Sequence, residues 1–412
     1  MSCAEALVPA PVAPRDGFSL SAGRYVVTAK AGDPILRPAR ARLIWAANTA
    51  AATAALGVPA GLVGGVSPFP YKVETVAGKA SVHRALGALY GVAGGFELYL
   101  LQDDAAPNGQ DWTHTGQFIR QVLPDAGLVH TRDPLIAVEC ARRGISYVFE
   151  DHDEDYQLGF HAHAELRAEQ ECCRAIVAIT GAVRRRLLAA GLPDRKIIVL
   201  ESGVNRAALQ RHPAEAEQWR RALLAPGYAM LVAYTGGLQQ ERGIEHILRA
   251  ALDLPKAVFV LAGGTQADQT RWSEALLRLG LGNVRLLGYQ DHETVCVLQQ
   301  AADVVLATRE AGPRAAITSP LKLYEYLLSG TPFVAAAIPA VDGLRTEDLA
   351  GTTYDPREPT RLASRILEAA RRFPRRPDGY AGNRVAGEGF TWEERQRRLM
   401  GFIGPIIVRR TY

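Results

Sequence analysis

SPLKLYEYLLSGTPFVAAA, residues 319–337, decides how this 412-residue chain is read. Ser319 is a favoured helix N-cap, and Pro320 suits the first helical position, where its missing N–H costs nothing. Gly330 and Pro332 stop the helix, and FVAAA follows as a buried strand. Lys322 then falls in the first turn, where the helix dipole disfavours a cation by roughly 0.3–1 kcal/mol. A bound anion reverses that penalty, because the free N–H groups and the lysine face one phosphate together. Glu325 lies one turn further along the same face. As a plain surface pair at i,i+3 the two residues stand in the poorer order, since acid before base is the stabilising sense. An anion site is therefore the better account of Lys322.

A second segment repeats the arrangement. YTGGLQQERGIEHILRAA, residues 234–251, reads as a strand end, a Gly236-Gly237 turn and a helix with Ile244, Ile247 and Leu248 on one face. Arg242 is expected at that helix's start, again a cation where an anion is preferred. Two such helix starts suit the two phosphoryl groups of a diphosphate. The paired glycines alone are weak evidence, since a plain turn accounts for them, and Gly263-Gly264 forms another strand-end turn of that kind.

Outward from these segments the chain alternates short apolar runs with helical patterns. Strands are expected at 24–29, 60–66, 96–101, 127–131, 145–150, 175–180 and 196–201, then in a second series at 230–236, 257–263, 284–289, 303–308, 332–337 and 351–355. Strand–helix–strand repetition at this spacing means parallel sheets covered on both faces. The strand-free, polar stretch RAALQRHPAEAEQWRRALLAPG separates the two series and puts the join near residue 205. The fold class is thus α/β, with two doubly wound domains and a ligand cleft at the carboxyl ends of their strands.

The bulk numbers narrow the class further. Hydrophobic content of 48% and charged content of 22% are those of a globular protein. A formal net charge of +4 with no dense Lys/Arg block gives nucleic-acid binding little support, and leaves a weak attraction to an anionic membrane surface open. Five cysteines (Cys3, Cys140, Cys172, Cys173 and Cys296), an odd number without a Cys-x-x-Cys or zinc spacing, fit a reducing cytoplasm. The start, MSCAEALVPAPVAPRDG, lacks a basic lead-in and is broken by prolines, unlike a signal peptide. No Asp, Glu, Lys or Arg occurs between Leu43 and Tyr71, but glycines and Pro59, Pro68 and Pro70 interrupt the run. It reads as a soluble Ala-rich helix and a strand, not a membrane span.

Four segments of the second half match, in order and spacing, the retaining glycosyltransferases of family 4. They are IVAITGAVRRRLLAAGLPDRKIIVLESGVN (176–205), YTGGLQQERG (234–243), VRLLGYQDHETVCVLQQAADVVLAT (284–308) and SPLKLYEYLLSGTP (319–332). FTWEERQRRL (390–399) resembles the family's terminal helix. The resemblance covers roughly residues 125–400, and residues 1–124 share only the general strand–helix layout. It implies the GT-B fold: a Rossmann-like acceptor-side domain at 1–205, a donor-binding domain at 206–385, and a helix at 386–412 crossing back to the first domain. It also implies transfer of a sugar from a UDP- or GDP-sugar to the hydroxyl of a saccharide, lipid-linked or small-molecule acceptor. Configuration would be retained, with neither a metal nor another cofactor.

By the same resemblance, Arg242 and Lys322 hold the diphosphate, Glu325 holds ribose hydroxyls, and His152, directly after SYVFED, faces the donor sugar. Gly236, Gly237, Gly312, Ala316, Ile317, Thr318 and Leu323 complete the expected donor contacts. Two positions depart from the family pattern. Gly237 stands where many members have an arginine, and Ile317 where many have a glutamate eight residues before the helix glutamate. The second departure implies that backbone N–H groups of the 312–318 loop meet the sugar. An epimerase or phosphorylase on the same scaffold, or a catalytically silent sugar-nucleotide-binding protein, are the rival classes.

The remaining candidates weigh less. Asp151, Asp153, Glu154 and Asp155 surround His152, but consecutive loop residues rarely converge on one ion, so a solvated or acceptor-facing loop is the better reading. Asp103-Asp104 reads as a turn, and His161 and His163 receive no role. His130, with Arg132 and Asp133, ends a strand, where contact with acceptor and a core position are equally open. No Gly-x-Ser-x-Gly nucleophile elbow occurs.

Overall fold

A computed structural model of the chain describes residues 20, 22–30, 32–36, 41–66, 76–102, 114–152, 166–312, 315, 319–339, 341, 344 and 348–406. The chain forms two compact units, Met1–Gly203 with Trp392–Tyr412, and Val204–Thr391.

In the first unit the described strands are β1 (Arg24–Thr28), β2 (Ala60–Val66), β3 (Glu97–Gln102), β4 (Ala126–Thr131), β5 (Tyr147–Asp151), β6 (Cys173–Ala178) and β7 (Ile197–Val199). They pair in parallel in the order β3-β2-β1-β4-β5-β6-β7. The order reverses between β1 and β4, the position where doubly wound sheets open a crevice. The charge-free stretch is the helix Ala41–Ala55 followed by β2. Alanine gives that helix its propensity and lets Leu43, Trp45, Ala46, Ala47 and Ala50 bury closely. Asn48 and Thr53 hand their side-chain protons back to Ile44 O (2.9 Å) and Thr49 O (2.7 Å), so two polar groups lie inside at little cost. No described helix is long and apolar enough to cross a membrane. Trp392, Leu399, Met400 and Ile403 of the helix Trp392–Ile403 join the core that holds Trp45 and Leu200.

The second unit repeats the plan with β8 (Met230–Thr235), β9 (Ala257–Ala262), β10 (Val284–Gly288), β11 (Val304–Ala307), β12 (Phe333–Ala336) and β13 (Gly351–Tyr354). The parallel order is β10-β9-β8-β11-β12-β13, with its reversal between β8 and β11. Its strands read as continuous apolar runs because both faces are covered: every residue of β9 and of β12 is buried. Both units are thus Rossmann-like, and the expected α/β class of two doubly wound domains is the observed one.

Two helix starts differ from the sequence expectation. The helix after β11 runs Leu321–Ser329 with Pro320 as N-cap, so Ser319 is not the cap and Lys322 is the second helical residue. Pro320 adopts φ −84°, ψ 54°, which is not helical, and this delays the start by one position. Arg242 does not begin the helix after β8. It closes a 3-10 turn, Gln240–Arg242, and Gly243 at φ 71° separates it from the helix Ile244–Asp253. Gly330, at φ 69°, ends the Leu321–Ser329 helix as expected.

Candidate active site

The carboxyl ends of β8 and β11 carry the densest charge chemistry of the second unit. β8 ends at Thr235, and the chain turns at Gly236 with φ 134°, a conformation side-chain-bearing residues rarely adopt. A Cβ at Gly236 would collide with Lys322 Cε. The glycine is therefore required twice, for the turn and for the approach of the lysine. Lys322 Nζ donates to the Tyr234 hydroxyl at 2.6 Å and lies 4.5 Å from the centre of that ring. The Tyr234 hydroxyl in turn donates to Gly237 O at 2.7 Å, which ties the glycine turn to the lysine.

Arg242 and Arg309 act on the same ammonium. Burial, and then the Arg242 and Arg309 guanidiniums, hold Lys322 well below the ordinary lysine range, while Glu325 and Glu241 pull it back up. Arg242 Nε is buried with no hydrogen-bond partner among the described residues, and Thr308 Oγ1 fixes the residue's carbonyl at 2.8 Å. Glu325, on the next turn, is raised from 4.5 to about 7 by burial, with Lys322 opposing. Lys322, Arg242 and Arg309, with one guanidinium N–H unsatisfied among the described residues, thus stand together at the switch point of the second sheet.

The other expected donor residues divide. Gly312 is exposed, and its carbonyl accepts from Ala315 N at 3.0 Å. The Leu323 side chain is fully buried and its N–H is bonded to Pro320 O at 2.8 Å. Ala316, Ile317 and Thr318 lie outside the described residues. So do Asp153, Glu154, Asp155, His161, His163, Asp103, Asp104 and Cys3. Gly237 has an unstrained φ, and a Cβ there would meet only the side-chain amide of Gln239, so the backbone does not demand glycine at this departure from the family pattern.

His152 follows β5 in the first unit. Its Nε2 lies 2.6 Å from Glu150 Oε1, and its side chain is 10% exposed. His130 is fully buried and bonds Glu150 Oε2 at 3.1 Å, so the core position is the right one of its two readings. Arg395, from the Trp392–Ile403 helix, reaches Glu150 Oε1 at 2.7 Å. Burial alone would raise the Glu150 carboxyl, but Arg395 and the two histidines hold it well below the usual carboxylate range. Burial and the neighbouring Arg132 lower His152 to about 4, against the pull of Glu150. Asp151, the other described acid of the loop, pairs with Arg186 at 2.8 Å.

Tyr234, Arg309, Glu150 and Arg395 received no role from the sequence. Tyr234 and Glu150 sit in or at the end of apolar strand runs, and the partners that give them meaning, Lys322 for the one and His130 and Arg395 for the other, are distant in the chain. Arg309 directly follows the strand run DVVLAT (303–308) and carried a signal of its own, a charge at a strand's carboxyl end.

Residues 229–372 match the sequence model of the Glycosyl transferases group 1. The matched residues lie within the second unit and include Gly236, Arg242, Arg309, Lys322 and Glu325. The chain is 28% identical over 281 residues to the D-inositol 3-phosphate glycosyltransferase of Mycobacterium tuberculosis (strain ATCC 25618 / H37Rv). That match takes in 66% of the chain and 55% of the relative, so the chain spans about half the length of the curated protein. Among solved structures it resembles Anabaena HepE in complex with UDP and glucose, with a TM-score of 0.67 at 16% identity, covering 92% of this chain and 98% of HepE. It also resembles sucrose-phosphate synthase from Thermosynechococcus elongatus, with a TM-score of 0.64 at 18% identity, covering 91% and 96% of the two chains. These likenesses show the GT-B fold.

Proposed function

We propose that the protein transfers a glycosyl group from a nucleoside diphosphate sugar to an acceptor hydroxyl, with the anomeric configuration retained and without a metal. The observation that carries this reading is Lys322. It is a lysine destabilised by burial and two guanidiniums, beside an unpartnered Arg242 Nε–H, in a domain of the group 1 glycosyltransferases. A diphosphate supplies a negative charge beside Lys322 and an acceptor for the Arg242 Nε–H. Solved neighbours with UDP and with UDP-glucose bound make a uridine nucleotide sugar the first donor to try.

In this reading the barrier lies in parting the anomeric carbon from the diphosphate. Negative charge grows on the departing oxygens, and in this reading Arg242, Lys322 and the start of the Leu321–Ser329 helix stabilise it. A departing phosphate oxygen takes the acceptor's proton on the same face, so no separate protein base is needed. Glu325 anchors the nucleotide through ribose hydroxyls, and His152 orients the sugar.

The test is release of nucleoside diphosphate from UDP- and GDP-sugars, with and without candidate acceptors, in the presence of EDTA. Acceptor-dependent release that survives EDTA, with proton NMR showing the donor's anomeric configuration in the first-formed product, supports the proposal. Donor binding without acceptor-dependent release would make the protein a silent sugar-nucleotide binder, and an inverted product would overturn the retaining assignment.

A further inference from the structure

A carboxylate is seldom found fully buried unless it is paired, and Glu150 is paired three times over. The protons of this cluster can be placed. Burial raises the Tyr25 phenol above its ordinary value, so it remains a donor, and its oxygen lies 2.9 Å from His130 Nδ1. His130 therefore accepts at Nδ1, carries its proton on Nε2 and donates to Glu150 Oε2. The other carboxylate oxygen meets His152 Nε2 and Arg395. A carboxylate only accepts, so His152 also carries its proton on Nε2. Trp45 stands edge-on to both imidazoles, with centroids 5.1 Å from His130 and 6.3 Å from His152, and limits their rotation. Of the two rings, His130 is sealed in and His152 retains exposure.

We propose that Glu150 is a positioning residue. It fixes His152 as the Nε2–H tautomer, so that this mostly buried ring presents Nδ1 as a hydrogen-bond acceptor to a hydroxyl hydrogen of the donor sugar. The inference rests on the reading in which His152 meets that sugar. It adds a selection rule: the sugar must offer a donating hydroxyl there, and a fluorine or methoxy group in its place fails. Burial first, then Arg132 and Arg395 against the pull of Glu150, keeps His152 neutral through the neutral pH range, so the acceptor persists.

The test is nitrogen-15 NMR of the imidazoles in the full chain, with His152 assigned by loss of its signals in His152→Gln. The expected result is a protonated, pyrrole-like Nε2 and a bare, pyridine-like Nδ1 throughout the neutral range. When calorimetry shows UDP-glucose bound, the Nδ1 resonance should shift as it accepts a hydrogen bond. Glu150→Gln offers one acceptor oxygen to two rings and a guanidinium, so it should mix the His152 tautomers and raise the donor KM several-fold. A protonated Nδ1 in the wild-type protein overturns the proposal without disturbing the donor reading, as does bound donor with Nδ1 unmoved. Absence of binding heat with every nucleotide sugar overturns the donor reading and the selection rule with it, while the tautomer still decides the role of Glu150. Should Glu150→Gln fail to fold, the wild-type spectrum alone distinguishes the two tautomers and so decides that role.

Discussion

Replacing Lys322 separates a phosphate ligand from a structural lysine. Lys322→Ala deletes a half-buried stem that packs on Tyr234 and Gly236. Three methylenes at about 0.8 kcal/mol each when fully buried come to ~1 kcal/mol here. Against this, the change relieves a cation at a helix start, worth about 0.3–1 kcal/mol, and the repulsion from Arg242 and Arg309. The net loss is therefore at most ~1 kcal/mol, or about 2–4 °C in Tm for a cooperative unit the size of Val204–Thr391. In the reaction the same ammonium faces a phosphate that is gaining charge, and loss of one such contact lowers kcat by on the order of 10²–10³. Lys322→Met keeps most of the stem and should melt with the wild type, yet turn over as poorly as Lys322→Ala. Melting is followed by differential scanning fluorimetry, turnover by nucleoside diphosphate release. If either variant melts many degrees lower while its folded fraction turns over normally, Lys322 is structural and the phosphate site is wrongly placed.

Gly236→Ala should cost roughly 1–3 kcal/mol through its positive φ and, by displacing the Lys322 stem, lower kcat by on the order of 10²; Gly237→Ala, with no such strain, is the control, and equal effects at both positions would refute the steric argument. Glu325 titrates near 7 instead of 4.5, so the native state keeps a proton that the unfolded chain releases in that window. Its stability contribution is present at low pH and is lost as pH rises through about 7, so the wild-type advantage over Glu325→Gln in Tm should shrink with rising pH; growth of that advantage contradicts the burial of the carboxyl. His152 has the opposite sign. Its folded value of about 4 lies below 6.5, the unfolded chain takes up the proton first as pH falls, and stability is lost from about 6.5 down to 4. His152→Gln should lose less stability over that acid window when both proteins are melted side by side.

Every strand expected from the sequence is present, with ends that shift by at most two residues. Parallel strands covered on both faces leave a dense apolar signature, so VRLLGY and PFVAAA could be read without knowing their partners. The helix starts were less legible. Pro320 adopts a dihedral pair that no propensity scale reports, and the 3-10 turn holding Arg242 is shorter than any periodicity can resolve. Lys322 was legible because a cation is unfavourable in a first helical turn, and Arg242 was singled out by the same argument although it closes a 3-10 turn ahead of its helix. Glu150 was not, because its meaning comes from partners 20 and 245 positions away, His130 and Arg395, that only the fold brings together.

The chain leaves the first unit at Gly203 and re-enters it at Trp392. During synthesis at roughly 5–20 residues per second, the intervening segment takes on the order of 10–40 s to emerge. For that interval the nascent first unit has Glu150 but not Arg395, and it lacks the apolar face of Trp392, Leu399 and Met400. A buried carboxylate without its counter-charge costs several kcal/mol. The segment made second can therefore complete its fold first, and the part made first waits, unsealed, until the helix that begins at Trp392 has been made.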